Sequence, residues 1–199
     1  MVAVTAGIQD PRKTFVALTW NVGSLKDRMD DVVGLLVRSE PHILCLQEAK
    51  GTAGAANALR GDCRQLGYCV LQNRQHNLIT IARRGLSICS LAAEDSDAGF
   101  RVQRLALQLK EARILIRHVH APDNSQAQRN ILWKQFASEA TAGKLIMDVG
   151  DFNQQVFSRP GFVCFFPHAK LSGDERRVIL GPPPWTEHWY QNPWLVRLR

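Results

Sequence analysis

Eight short β-prone runs, none longer than eight residues and separated by polar or Gly-containing segments, constrain this chain more than any other feature: 14–20, Ile43–Leu46, Tyr68–Leu71, Leu78–Ala82, Leu86–Leu91, Val102–Leu109, Arg113–Val119 and Leu145–Val149. Segments of that length, rich in Val, Ile, Leu and Phe, read as strands rather than helices. In the sixth run Leu105, Leu107 and Leu109 alternate with Ala106 and Gln108, the period of a half-buried strand. Helical spacing appears between and around them. From Ser24 to Glu40, Leu25, Met29, Val32, Val33, Leu36 and Val37 recur on one face, with Ser24 as N-cap and Pro41 as stop. A Gly/Ala-rich stretch, 51–66, reads as a second helix, and 126–140 as a third, with Ile131, Leu132, Trp133 and Phe136 turned inward. Strands grouped in the middle and helices near both ends predict an α/β fold in which two packed sheets are covered by helices on the outside.

The 199 residues suffice for one core, so the expected organisation is an N-terminal tail, 1–13, and a single domain, 14–199, whose last part, 156–199, is irregular. Pro160, Pro167, Pro182, Pro183, Pro184 and Pro193 interrupt any long element there. Five cysteines, odd in number and without a C-x-x-C pair, read as reduced thiols in an intracellular setting, nuclear or cytoplasmic. No basic segment precedes a signal-like apolar stretch and no run reaches membrane-spanning length, so neither secretion nor a membrane span is expected. The balance of 25 Lys and Arg against 18 Asp and Glu gives a net charge of +7. That excess fits an anionic partner, nucleic acid first, and equally a solvated basic surface.

Three polar signatures sit directly after apolar runs: Trp20-Asn21, Gln47-Glu48 and Gly150-Asp151-Phe152-Asn153. Side chains at the ends of buried strands converge on a cleft, and a Glu, an Asp and two Asn there are donors for a hard cation and a phosphate. An ionised Glu48 facing inward needs a cation or several donors; facing outward it is a loop-opening Glu paired with Lys50. Gly150 is expected to permit a tight turn that delivers Asp151 into a loop, with Asn153 pointing the same way one residue further on. Asp151 then orients or deprotonates a water and Asn153 donates to a phosphate oxygen; an Asx turn explains the same pair. Asn21 reads as a metal or phosphate contact or as a turn former beside Gly23. His118 and His120 share one strand face without the Cys/His partners of a zinc site, which leaves a structural or substrate-contacting imidazole. Thr186-Glu187-His188 sets an acid beside an imidazole among aromatics, either a phosphate-binding or proton-donating His or a packed aromatic patch. Arg74, Arg83, Arg84, Arg101 and Arg104 are candidates to follow a nucleic-acid backbone.

Taken in order, Trp20-Asn21, Leu46-Gln47-Glu48, His120-Ala121-Pro122-Asp123, Gly150-Asp151-Phe152-Asn153 and Thr186-Glu187-His188 resemble the endonuclease/exonuclease/phosphatase superfamily. Within it the chain is most similar to the apurinic/apyrimidinic-type endonuclease domains of non-LTR retrotransposons. The resemblance implies a four-layer α/β/β/α sandwich and a Mg²⁺-dependent phosphodiesterase, Mn²⁺ serving in its place, that acts on DNA. It assigns Glu48, Asn21 and Glu187 to the metal and Asp151, Asn153, His120 and His188 to catalysis, while Arg83, Arg84, Arg101 and Arg104, read from the basic strands and loops themselves, are the substrate candidates. The chain departs from the family in three places. His120 stands where the family usually has Tyr. Arg176-Arg177-Val178-Ile179-Leu180 lacks the Asp of an Ile-Asp-Tyr-like strand, and only 36 positions separate Asp151 from Glu187. Two alternatives therefore stay open: a catalytically impaired member that binds nucleic acid, and a phosphatase acting on a phosphoinositide or another small phosphoester.

Overall fold

A computed structural model describes residues 2–4, 15–92, 100–108, 113–139, 145–151, 165–167, 178–181 and 194–198. Two βαβ units organise them. In the first, β1 (Val2–Val4) is followed by β2 (Phe15–Asn21), which crosses through α1 (Leu25–Ser39) to β3 (Ile43–Gln47), parallel to β2 in the register Trp20 to Leu46 and Asn21 to Gln47. Next come α2 (Ala53–Gln65), β4 (Tyr68–Asn73), β5 (Leu78–Arg83), β6 (Ser87–Ser90) and β7 (Arg101–Gln108). In the second unit β8 (Arg113–His120) crosses through α3 (Gln126–Glu139) to the parallel β9 (Leu145–Asp151), with His120 opposite Asp151. The chain ends in β10 (Phe165–Pro167), β11 (Val178–Gly181) and β12 (Trp194–Leu198).

The strands form two mixed sheets. One runs β11-β12-β2-β3-β5-β4 with β1 also on β2, and the other runs β10-β9-β8-β7-β6. Val2–Val4, expected in a tail, thus pairs with Phe15–Ala17, and the proline-rich last third supplies strands to both sheets. The α/β architecture of two facing sheets with outer helices matches the expectation. Among the described residues no helix is long and apolar enough to cross a membrane.

Alternation along each strand divides the interior into three layers. Leu18, Trp20, Leu44, Leu46, Ile79 and Ile81 pack outward against Leu25, Val32, Leu36, Leu59 and Cys63 of α1 and α2. Phe15, Ala17, Ile43, Cys45, Leu105, Leu107, Ile114, Ile116, Met147 and Val149 fill the space between the sheets. Val102, Val119, Leu132 and Phe136 form the layer beneath α3. Two expected core positions are exposed instead. Ile131 lies five residues from Phe136, on the far side of the helix, and Val37 falls past the inward face of α1. Ser24 precedes α1 without a side-chain cap. Thr52 does cap α2, accepting from the Ala55 amide at 3.2 Å. Glu40 ends α1 in the left-handed region, φ 39°, before Pro41.

Candidate active site

Both βαβ units end their strands at the same edge of the sandwich, where β2 carries Asn21, β3 leads into Glu48, β8 ends on His120 and β9 on Asp151. The carboxyl ends of parallel strands are the usual place for a ligand crevice in α/β proteins. Strict alternation would send Glu48, after Leu44 and Leu46, toward the helices. Its φ of 51° breaks that alternation and turns the carboxylate toward Asn21. Backbone bonds hold this turn: the Ala49 amide donates to the Asn77 carbonyl at 2.9 Å and the Lys50 amide to the Glu48 carbonyl at 2.5 Å.

Gly150 belongs to β9 rather than to a turn. Its φ is 149°, and a Cβ there would lie 1.9 Å from the Val119 carbonyl oxygen, so glycine is needed for β8 and β9 to approach. Asp151 accordingly sits at a strand end, not in a loop, and its carbonyl accepts from the Ala121 amide at 2.8 Å.

Asn21 is the hub. Its Nδ2 donates to Glu48 Oε1 at 3.0 Å and to Asp151 Oδ2 at 2.8 Å, while its Oδ1 accepts from the Gly23 amide at 3.1 Å. One amide thereby joins carboxylates from the two sheets, and all three contacts fix its orientation. His120 faces the same group, with Nε2 3.5 Å from Glu48 Oε1. Its Nδ1 lies 3.0 Å from Arg101 Nη1; a guanidinium only donates, so Nδ1 accepts and the proton sits on Nε2. Lys50 Nζ is 3.1 Å from Glu48 Oε2.

Burial alone would raise the Glu48 carboxyl, but hydrogen bonds from Asn21 and Lys50 and the nearby His120 hold it below its ordinary value. Burial lowers the His120 imidazole, and Arg101 pushes the same way, against the opposing pull of Asp151 and Glu48. The site therefore presents ionised carboxylate and neutral imidazole with an Nε2–H donor at neutral pH.

Among the described residues no group of three or more His, Cys, Asp or Glu side chains is placed to hold an ion. Glu48 and Asp151 are nevertheless a hard-oxygen pair that one amide nitrogen reaches simultaneously, and Mg²⁺ commonly takes one or two carboxylates with water and phosphate oxygens completing its shell. The donor set fits such an ion. Asn21 presents N–H rather than oxygen to this pair, so here it holds the carboxylates together.

The arginines separate into three groups. Arg101, exposed and bonded to His120, stands at the site. Arg83 and Arg84 do not. Ile43 pairs with Ala82, so both lie where β3 begins, on the order of 16 Å of strand from Glu48. Arg83 is also engaged with the Glu40 carbonyl and carboxylate. Arg104 is 2% exposed and makes two bonds of 2.8 Å to Glu139. Position 104 faces α3 because Gln103, Leu105 and Leu107 face the other sheet, so Arg104 is removed from any substrate surface. Asn153, Thr186, Glu187 and His188 lie outside the described residues.

Five polar residues escaped the motif reading: Arg117 and Asp148 beneath α3, and Thr19, Thr80 and Gln103 between the sheets. Arg117 and Asp148, both 0% exposed, pair at 2.5 and 2.7 Å, and Arg117 also reaches Glu139 at 3.0 Å and the face of Phe136 at 3.9 Å. His118, Gln47, Thr19, Thr80 and Gln103 are buried between the sheets one step below the site. An Asp inside the apolar run Leu145–Val149 and an Arg inside Arg113–Val119 were the available signals.

A model of the endonuclease/exonuclease/phosphatase family matches residues 18–198. No curated protein matches the chain by sequence. Among solved structures, TDP2 of D. rerio complexed with a single-strand DNA product superimposes with a TM-score of 0.55 at 16% identity, covering 71% of this chain and 62% of that one. Truncated TDP2 of Caenorhabditis elegans gives 0.51 at 18% identity over 71% of this chain and 63% of that one. The 3′ phosphatase NExo of Neisseria, bound to a product DNA hairpin, gives 0.50 at 21% identity over 70% and 58%. The match thus spans about three fifths of the length of these structures, and at such identity it shows the shared fold.

Proposed function

This chain belongs to the endonuclease/exonuclease/phosphatase family, and from that membership we propose that it is a metal-dependent phosphodiesterase acting on nucleic acid, with DNA as the preferred substrate. The observation that carries the reading is the cross-sheet junction of Glu48 and Asp151 through Asn21, at the edge where both parallel strand pairs end. That the D. rerio and Neisseria structures hold DNA products supports nucleic acid as the substrate class.

Glu48 and Asp151 would hold Mg²⁺, or Mn²⁺ in its place, which when bound supplies positive charge to the phosphate and the leaving oxygen. Asn21 keeps the two carboxylates at one spacing. Asp151 is placed to accept the proton of an attacking water, and His120 Nε2–H to donate to a phosphoryl oxygen. Arg101 fixes the His120 tautomer and offers its remaining N–H groups to the nucleic-acid backbone. From the motifs alone, Asn153 contacts the scissile phosphate, Glu187 completes the metal shell and His188 binds phosphate. The same motif order supports kinship with the endonuclease domains of non-LTR retrotransposons, and the odd cysteine count without a C-x-x-C pair supports a nuclear or cytoplasmic setting.

A second reading, removal of a terminal phosphate, is favoured by the Neisseria structure, a 3′ phosphatase. Nicking of supercoiled plasmid and of an abasic-site duplex, and phosphate release from a 3′-phosphorylated end, distinguish the two when run with Mg²⁺, Mn²⁺ and EDTA. Metal-dependent nicking is the expected result. Phosphate release without nicking would move the activity to monoesters. Neither reaction, with salt-sensitive DNA binding retained, would make the chain a binding module.

A further inference from the structure

Five polar side chains sit where the space between two apolar sheets should be apolar: Thr19, Gln47, Thr80, Gln103 and His118, none more than 4% exposed. They form one hydrogen-bonded chain. Thr19 Oγ1 and the Gln47 amide lie 3.0 to 3.2 Å apart, and Gln47 Nε2 is 2.6 Å from His118 Nε2. That nitrogen therefore accepts, and the ring proton sits on Nδ1, which faces Thr80 Oγ1 at 3.1 Å and Gln103 Oε1 at 3.3 Å. Thr80 donates to Gln103 Oε1 at 2.9 Å, and Gln103 Nε2 ends the chain on the Leu71 carbonyl at 3.3 Å.

Gln47 and Thr80 belong to one sheet, His118 and Gln103 to the other, and Leu71 to the first again. The bonds consequently cross the gap between sheets four times. Four of the five members also lie next to a group of the site: Thr19 two residues before Asn21, Gln47 next to Glu48, His118 two before His120, and Gln103 two after Arg101. Burial drives the His118 imidazole down to about 3, so the stitch is neutral throughout the working range.

We infer that Thr19, Gln47, His118, Thr80 and Gln103 are positioning residues that lock the sliding register of the two sheets and so set the Asn21–Asp151 and Glu48–His120 spacings. The inference rests on the phosphodiesterase reading only for what is being positioned. Apolar contacts hold sheets together but tolerate small slides, whereas hydrogen bonds are directional and specify one register. The cross-sheet contacts of the site, 2.8 Å for Asn21–Asp151 and 3.5 Å for Glu48–His120, have no such tolerance.

The test uses ¹⁵N-labelled full chain as wild type, Gln47→Met/His118→Phe, Thr80→Val and Thr80→Ser. The double variant replaces both members of one crossing with apolar groups, leaving Thr19 Oγ1 without its Gln47 partner. Two quantities are read in proteins that melt cooperatively: the side-chain amide resonances of Asn21, and kcat and KM for plasmid nicking with Mg²⁺. Positioning predicts that the Asn21 amide shifts toward the free-amide position and that kcat falls about 10- to 100-fold with KM within about threefold, the cost of a sub-ångström to ångström misplacement. Thr80→Ser keeps wild-type values. If the double variant does not fold, Thr80→Val decides on the same readouts; failure of that single methyl-for-hydroxyl change to fold would assign the stitch to stability and overturn the inference. Folded variants with an unmoved Asn21 amide would also overturn it, whatever happens to kcat. Should the wild type cleave nothing, the proposed function falls alone, because the Asn21 resonance still decides the positioning role.

Discussion

Two clusters of opposite charges, one beneath α3 and one where the two sheets meet at their strand ends, differ in closure rather than in composition. Beneath α3, Arg104 and Arg117 meet Glu139 and Asp148 with two cations for two carboxylates, two paired arginine–carboxylate forks and an aromatic face over Arg117. Burial raises the Asp148 carboxyl against the pull of Arg117, while Glu139, less buried, is held below its ordinary value by its bonds from Arg104, Gln135 and Arg117. At the strand ends, Glu48 and Asp151 share one neutral amide, and the cations beside them, Lys50 and Arg101, are exposed. The closed cluster anchors a helix. The open one sets two carboxylates from different sheets against a single neutral amide, with its cations exposed at the rim, which is what distinguishes a chemical site from an internal ion pair.

The comparison breaks most sharply on activity. Glu48→Gln and Asp151→Asn should each lower metal-dependent nicking by about 100-fold or more while melting with the wild type, since removal of one group acting on the transition state costs on that order. Activity kept in either variant, measured at equal folded fraction, would move the chemistry elsewhere. The reverse pattern is expected under α3. Arg117→Met strands Asp148 in the core at a cost of about 3–5 kcal/mol, read by denaturant titration, with nicking per folded molecule unchanged.

A titration sharpens the middle layer. His118, surrounded by Gln47, Thr80 and Gln103, falls from the ordinary 6.5 to about 3 through burial, with His120 pushing the same way. The unfolded chain thus binds a proton there that the folded chain refuses. Its contribution is fully present above about 6.5 and is lost as pH falls toward about 3, on the order of a few kcal/mol. Denaturant midpoints across that range should show the slope in the wild type and a flatter one in His118→Gln. The smallest effect belongs to the rim. Arg101→Ala should weaken DNA binding about tenfold and reduce the salt slope by about one, whereas Arg84→Ala, past the end of β5 far from Glu48, should change neither.

Strand ends were readable from the sequence because an apolar run closed by Asn, Glu or Asp leaves few places for the polar side chain to go, so Asn21, Glu48, His120 and Asp151 were found as candidates before any geometry. Faces were partly readable. The alternation of Leu105 and Leu107 already places Arg104 on the side opposite Gln103, yet a basic pair at 101 and 104 suggests one surface unless parity is applied. The sheet register was not readable: that Arg83 sits at the far end of β5 follows only from Ile43 pairing with Ala82. Gly150 shows the same limit, since a glycine before Asp suggests a turn while its need comes from the Val119 carbonyl on the neighbouring strand. The left-handed backbone of Glu48 had no local signal at all, because neither Gly nor Asn marks it.

The central claim, that the open cluster and not the closed one is built for a hard cation, is tested most directly by titrating Mn²⁺ into ¹⁵N-labelled protein and following paramagnetic broadening. Broadening centred on residues 21, 48, 120 and 151, abolished in Glu48→Gln, is the predicted result. Broadening centred on residues 104, 117, 139 and 148, or none at millimolar Mn²⁺, would contradict it.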